Sequence, residues 1–224
     1  MERKIVRTAD GSTTIFLPEW DEHYHSKHGA LQEAYHVFIK NGLEEVKAGK
    51  GNAPVSIMEI GFGTGLNAFI TLMEAESSGL HIEYTGIEAY PITPEELKEL
   101  NYTDTFSEKN ASQIFKLLHE LGWEDRHEVT PLFYLNKKKQ FFHEITAEDA
   151  FDLIYFDAFG ARVQPELWTE EIFGIMYRSL KREGVLVTYS AKGSVRRAMQ
   201  TVGFQVERLE GPPGKREMLR ARKI

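Results

Sequence analysis

A chain of 224 residues with 42% hydrophobic content is long enough for one large α/β domain and can fill a proper core. It contains no cysteine, which excludes disulfides, thiolate metal sites and cysteine nucleophiles. The net charge of −7 argues against a nucleic-acid partner only on average, because residues 178–224 hold 12 Lys/Arg against 4 Asp/Glu and so carry +8, while the other 177 residues carry −15.

The first residues, MERKIVRTADGSTT, place charges where a signal peptide needs an apolar core. No run approaches the roughly 20 apolar residues of a membrane span, so the expectation is a cytoplasmic protein without membrane contact. Alternation on both sides of Asp10-Gly11 predicts a β-hairpin over about residues 3–16. Ala30, Leu31, Ala34, Tyr35, Phe38 and Ile39 then follow helical spacing, predicting a helix that ends near Asn41-Gly42. VSIMEI reads as a short buried strand, GLNAFITLMEAESSG as the helix after it and HIEYTGIEAY as a second strand. TPEELKEL reads as a helix with Thr93 as cap and Pro94 in its first turn. Between about 101 and 128 the pattern is weaker, a helical insertion in which SQIFKLLHELGW is the clear helix.

FYLNKK predicts the third strand, and FDLIYFDAF a buried strand ending in Asp157. A helix is expected through WTEEIFGIMYRSLKREG, with Trp168 as a core anchor, then a strand VLVTYS, a helix SVRRAMQTVG and two final strands joined by GPPGK. The basic C-terminal segment is either a phosphate-facing surface or a solvated charged face. Strands alternating with helices imply a doubly wound, mostly parallel sheet whose ligands bind at the carboxyl ends of the strands. The whole chain is expected to be one domain, residues 1–50 forming an N-terminal extension and 51–224 the core.

Between the first core strand and its helix, EIGFGTGLN puts Gly61, Gly63 and Gly65 at alternate positions. Such a turn lets a ligand approach the backbone and offers amide donors at a helix start. No Gly-Lys-Ser/Thr follows, which rules out a P-loop, and Leu66 stands where a dinucleotide fingerprint needs its third glycine. Glu59 beside the turn suits a ligand with a sulfonium and an ammonium, S-adenosylmethionine, better than a pyrophosphate. Glu88 ends the next strand 23 residues after Gly65, near the spacing at which an acid bonds ribose hydroxyls. Gln140, after the third strand, is a candidate for the adenine amine.

DEHYHSKHGALQEAYHVFI, EIGFGTGLNAF, FDLIYFDAFGARVQPELW, LVTYSAKGSVRRAMQTVGF and GPPGKREML together resemble the methyltransferase domain of bacterial tRNA 5-methylaminomethyl-2-thiouridine methyltransferases, in the form without an oxidase domain. The resemblance implies a Rossmann-like class I adenosylmethionine-dependent fold: a mostly parallel seven-stranded sheet with an antiparallel edge strand, plus the N-terminal hairpin and helix. It implies methylation of the exocyclic amine of 5-aminomethyl-2-thiouridine at the tRNA wobble position, with the amine made elsewhere and no stable protein partner. It assigns Asp157 as the catalytic acid, and an acid at the mouth of the sheet can both hold an alkylammonium and accept its proton. The cofactor set is Glu59, Gly61, Gly63, Gly65, Asn67, Glu88 and Asp157. Tyr24 and Ser26 are expected at the cofactor or uridine pocket, and Lys192, Arg196, Arg197, Lys215 and Arg216 against the tRNA backbone. No metal is expected; His23, His25 and His28 lack suitably placed carboxylates. Ala161-Arg162 departs from the Pro-Asp or Pro-Ala of the family, which leaves that loop's shape open. Two other readings stay open, an adenosylmethionine-dependent methyltransferase of a small-molecule amine and a non-catalytic tRNA-binding module.

Overall fold

The computed structural model describes residues 2–51, 53–108 and 110–224; Lys109, in the expected insertion, lies outside them. Strands β1 (Lys4–Arg7) and β2 (Thr13–Leu17) pair antiparallel around Asp10-Gly11. The turn is closed by Asp10 Oδ1, which accepts from Thr8 Oγ1 at 2.7 Å and from Ser12 N at 3.1 Å. A two-residue strand β3 (Glu22–His23) joins β2, so the expected hairpin is a three-stranded sheet.

The following helix has three sections, α1 (Ala30–Ala34), a π-helical stretch Tyr35–Leu43 and α2 (Glu44–Lys47). It does not stop at Asn41-Gly42 as its spacing suggested. A Cβ on Gly42 would lie 3.0 Å from Val187 and 3.3 Å from Tyr155, so the glycine lets the helix lie close on the sheet. Asn41 Nδ2 donates to the carbonyl of His36 at 2.7 Å, satisfying a carbonyl within the widened turns.

The core comprises β4 (Val55–Ile60), α3 (Leu66–Ser78), β5 (Ile82–Ile87), α4 (Pro94–Lys98), α5 (Ala111–Glu120), β6 (Arg126–Thr130) and β7 (Phe133–Lys138). It continues with β8 (Phe151–Phe156), α6 (Glu170–Ser179), β9 (Leu180–Thr188), α7 (Gly193–Thr201), β10 (Gln205–Glu210) and β11 (Glu217–Arg222). Thr93 and Glu96 form the capping box that starts α4. The sheet order is β10-β11-β9-β8-β4-β5-β7-β6. From β9 to β7 all neighbours are parallel, while β11 and β10 at one end and β6 at the other are antiparallel.

Among the described residues the sheet therefore has eight strands rather than seven, with antiparallel pairing at both ends. The extra strand, β6, lies where the helical insertion was expected to finish. Its sequence RHEVT shows no clean alternation because an edge strand half in solvent does not need one. Arg126 instead ties it to Glu83 through two hydrogen bonds of 2.9 and 2.6 Å.

A second correction concerns LKREG, read as the end of a helix. The helix ends at Ser179, and Leu180 begins β9 with its side chain fully buried. Glu183 takes φ +62, and Lys181 Nζ reaches Ser56 Oγ at 2.9 Å and Asp152 Oδ2 at 3.1 Å. Those bonds fix an irregular strand entry where the polar run alone resembled a helix end.

Apolar side chains pack on both faces of the sheet. One face holds Phe38, Phe69, Phe115, Tyr84 and Tyr155 beneath the helices preceding and following β4. The other holds Phe156, Phe173, Met176 and Met199 beneath α6 and α7. Trp168 belongs to this second cluster, 5% exposed, with Nε1 donating to the carbonyl of Phe159 at 2.7 Å. The two layers leave the carboxyl ends of β4, β5 and β8 side by side, where strand-end residues can meet.

Candidate active site

The glycine turn follows β4, with Gly61, Gly63 and Gly65 at φ +88, +49 and +71. Gly61 has least room: a Cβ there would lie 2.8 Å from the carbonyl oxygen of Asp157, so turn and strand end meet backbone to backbone. The amide of Gly63 donates to Glu88 Oε2 at 2.9 Å, while Glu88 Oε1 accepts from Tyr90 N at 2.8 Å. Glu88 thus ties the turn to the loop after β5.

Thr64, at the centre of the turn, is held from three directions. His25 Nε2 lies 2.7 Å from its hydroxyl, the Tyr102 hydroxyl lies 3.2 Å from the same atom, and His119 Nε2 donates to its carbonyl at 3.1 Å. Burial pushes His25 and His119 down to about 4, so both rings are neutral near pH 7. His23 packs against Phe16 and His28 against Gly214, so the three histidines of EHYHSKHG serve separate contacts. Among the described residues no group of three or more His, Asp or Glu is placed to hold a metal ion.

Behind the turn two carboxylates share one amide. Asn67 Nδ2 donates to Glu59 Oε1 at 2.9 Å and to Asp157 Oδ2 at 2.8 Å, and the Tyr84 hydroxyl donates to Glu59 Oε2 at 2.9 Å. Asn67 Oδ1 is buried without a partner among the described residues. Burial pushes the Asp157 carboxyl up to about 7; the Asn67 hydrogen bond and Lys215 oppose the rise and Glu33 adds to it. Glu59, with no exposed surface, is raised well above the usual carboxylate range, again mainly by burial.

These elements surround a cavity of about 1210 Å³. Gly61, Gly63, Glu88, Asp157, Tyr24, Ser26 and Lys215 face it. Glu59, Gly65 and Asn67 stand behind that wall, so Glu59, expected at the cofactor, reaches the site only through Asn67. The reason is side-chain direction: Glu59 turns from the strand end toward Tyr84, and Asn67 fills the space between it and Asp157. Gln140 is not part of the lining either.

Several lining residues escaped sequence reasoning. Tyr90 follows Glu88 by two positions, Phe141 and His143 follow β7, and Tyr189 follows β9, so the strand-end rule could have found all four. Tyr90 and Phe141 meet edge to face at 6.0 Å, and Phe141 stacks on His143 at 5.6 Å. Arg3 had no such signal. It is the residue just before β1, pairing with Glu96 Oε2 at 3.0 Å and donating to the carbonyl of Tyr90 at 3.1 Å. Arg162 fixes the divergent loop by donating to the carbonyls of Trp20 and Asp21 at 3.0 and 2.8 Å.

The basic segment divides in two. Lys181, Arg182, Arg208, Lys215, Arg220, Arg222 and Lys223 form ion pairs with acids of this chain. Arg178, Lys192, Arg196, Arg197 and Arg216 have no such partner among the described residues. Lys192 to Arg197 begin α7, just after Tyr189 at the carboxyl end of β9.

Residues 133–224 match a family described as S-adenosyl-L-methionine-dependent methyltransferase. Over 221 residues, 92% of this chain, the sequence is 30% identical to the tRNA 5-methylaminomethyl-2-thiouridine biosynthesis bifunctional protein MnmC of Paraburkholderia xenovorans. Over 223 residues it is 31% identical to the protein of that name from Cupriavidus metallidurans. The chain spans about a third of the length of these relatives. The crystal structure of MNMC2 from Aquifex aeolicus superposes with a TM-score of 0.75 at 26% identity, covering 98% of this chain and 70% of that one. The parallel sheet, the glycine turn and these similarities agree on a Rossmann-like α/β methyltransferase fold: residues 133–224 match the S-adenosyl-L-methionine-dependent methyltransferase family, and over most of its length the chain is similar to about a third of the tRNA 5-methylaminomethyl-2-thiouridine biosynthesis bifunctional proteins.

Proposed function

We propose that this protein methylates the exocyclic amine of 5-aminomethyl-2-thiouridine at the tRNA wobble position, acting where tRNA is, in the cytoplasm. The observation that carries the reading is Asp157, a carboxylate raised to about 7 at the wall of the cavity beside the glycine turn.

The residues present fit S-adenosyl-L-methionine, which when bound supplies a methyl group on a positively charged sulfur. A crowded glycine backbone at Gly61 leaves room for no side chain, Asn67 Oδ1 is a buried acceptor without a partner among the described residues, and the carboxylates Glu88 and Asp157 stand at the ends of β5 and β8, on either side of β4. Gly61 and Gly63 would offer backbone, Glu88 would take the ribose hydroxyls, and Tyr90 and Phe141 would face the purine. Asp157, held from behind by Asn67, would border the methionine end.

The acceptor amine reaches the site as an alkylammonium with a pKa near that of lysine, about 10. It cannot attack until a proton leaves. The Asp157 carboxylate takes that proton and frees the nitrogen lone pair to form the new N–C bond, the methyl group's bond to sulfur breaking as its electron pair stays on the sulfur, which would become neutral; the carboxylic acid then returns its proton to water. A carboxylate raised to about 7 is a stronger base than an ordinary one and is still half ionised at that pH. Asn67 holds it in place, and Glu59 with Tyr84 holds Asn67.

Lys192, Arg196, Arg197 and Arg216, free of ion pairs among the described residues, supply the surface for the tRNA backbone. Lys215, paired inside the cavity, does not. Nucleoside mass spectrometry of tRNA from cells lacking the protein tests the reading: 5-aminomethyl-2-thiouridine should accumulate. Unchanged wobble nucleosides, with methyl transfer to free alkylamines by the purified protein, would replace tRNA by a small-molecule acceptor.

A further inference from the structure

Beside Asp157 the cavity wall holds a second carboxylate, Glu33, and a lysine, Lys215, neither of which takes part in the proton transfer. Glu33 is buried on α1, and Lys215 arrives from the 211–215 loop between β10 and β11. Its Nζ lies 2.5 Å from Glu33 Oε2 and 3.9 Å from the centroid of the Tyr189 ring. Ser26 N donates to the other Glu33 oxygen at 3.3 Å, and the Tyr189 hydroxyl donates to the carbonyl of Ala158, the neighbour of Asp157, at 2.8 Å.

The loop is built to keep the lysine there. A Cβ on Gly211 would lie 2.5 Å from the carbonyl oxygen of Lys215, and Gly214, at φ +85, is seated on the His28 ring. A carboxylate and an aromatic face are together a binding arrangement for an ammonium group, so this corner is already filled by one from the chain itself. The two side chains act on Asp157 with opposite sign, Glu33 favouring its neutral form and Lys215 its charged form. Of the three charges, only Asp157 has no counter-ion.

We propose that the Glu33–Lys215 pair is a specificity-determining element of the acceptor end: closed on itself, it leaves Asp157 as the one charge of this corner without a counter-ion, so the corner receives a single ammonium group. The inference rests on the proposed methyl transfer to an alkylamine. Glu33→Gln would leave Lys215 unbalanced and facing the incoming ammonium. Lys215→Met would add a second acid to attract it. The double variant would restore the original balance.

The test uses the purified full chain and tRNA carrying 5-aminomethyl-2-thiouridine, with KM and kcat measured separately and adenosylmethionine affinity followed by calorimetry. Repulsion between the unpaired Lys215 and the incoming ammonium should raise KM for E33Q on the order of tenfold, with cofactor affinity kept. K215M should leave KM the same or lower it, and the double variant should bring it back to within about threefold of the parent. A rise of KM in both single variants that simply adds in the double variant would mean a structural brace and overturn the proposal, as would an unchanged KM in E33Q. Should E33Q lose cofactor binding through misfolding, K215M decides alone, since a rise in its KM is the opposite of the expectation. No methylation of the tRNA by the parent protein would defeat the acceptor reading itself, before any variant is made.

Discussion

Burial moves the Asp157 carboxyl from 3.8 to about 7, which corresponds to about 4 kcal/mol in favour of its neutral form. If this group takes the acceptor's proton, the single-turnover rate of methyl transfer should rise tenfold per pH unit on the acid side and level off near pH 7. Asn67 is the neighbour whose hydrogen bond holds the charged form, at 2.8 Å. A hydrogen bond to a charged group is worth about 1.5–3 kcal/mol, so Asn67→Ala should carry the levelling point upward by about one to two units. Asp157→Asn should lower the rate by about 10²–10⁴ and remove the acid limb, while adenosylmethionine still binds. The assay is transfer of a labelled methyl group under single-turnover conditions between pH 5.5 and 8.5, with cofactor binding measured on each variant. A parent profile that is flat across this range, or an Asn67→Ala limb displaced toward lower pH, would refute the assignment of the base.

Three further outcomes follow from the geometry. Burial lowers His119 from 6.5 to about 4, so its contribution is complete above the unfolded value and is lost as pH falls from about 6.5 toward 4. Asp157, raised on folding, changes stability in the opposite direction over nearly the same range, which makes a difference measurement necessary. Between pH 7 and pH 5 in urea, His119→Gln should lose about 2 kcal/mol less stability than the parent; equal losses would count against a buried neutral His119. Gly61→Ala combines φ +88 with a clash against the Asp157 carbonyl, so it should cost about 1–3 kcal/mol in thermal unfolding and weaken cofactor binding in calorimetry. Arg196→Glu with Arg197→Glu should weaken tRNA binding and flatten its dependence on salt by about two in slope, with cofactor affinity unchanged; an unaltered salt slope would move the RNA surface elsewhere.

Much of the frame was legible because it follows from local rules. Gly61, Gly63 and Gly65 between an apolar strand and a helix announced a backbone approached closely, and Glu88 and Asp157 announced themselves by ending apolar strands. Thr93-Pro94 marked the start of α4 through its capping chemistry alone. The misreadings arose where a residue serves a neighbour distant in sequence. Gly42 looked like a helix stop but makes room for Val187 and Tyr155, and KREG looked like a helix end but enters β9 through contacts of Lys181 with Ser56 and Asp152. β6 lacked alternation because its edge position relieves it of a buried face.

The order of strands and helices, the glycine turn and the acids at the strand ends were determined by the sequence itself, since backbone preference and hydrophobic period act over a few residues. Only the tertiary structure decided which of those acids meets the cavity. Glu59 and Asp157 both end parallel strands, yet Asn67 stands between them and leaves Asp157 on the open side. The same holds for charge: the +8 of the C-terminal segment is a property of the sequence, but Glu33, Glu45, Asp149 and Asp152 lie far from it along the chain and pair with much of it. Electrostatic partners are chosen by distance in space, which composition does not contain.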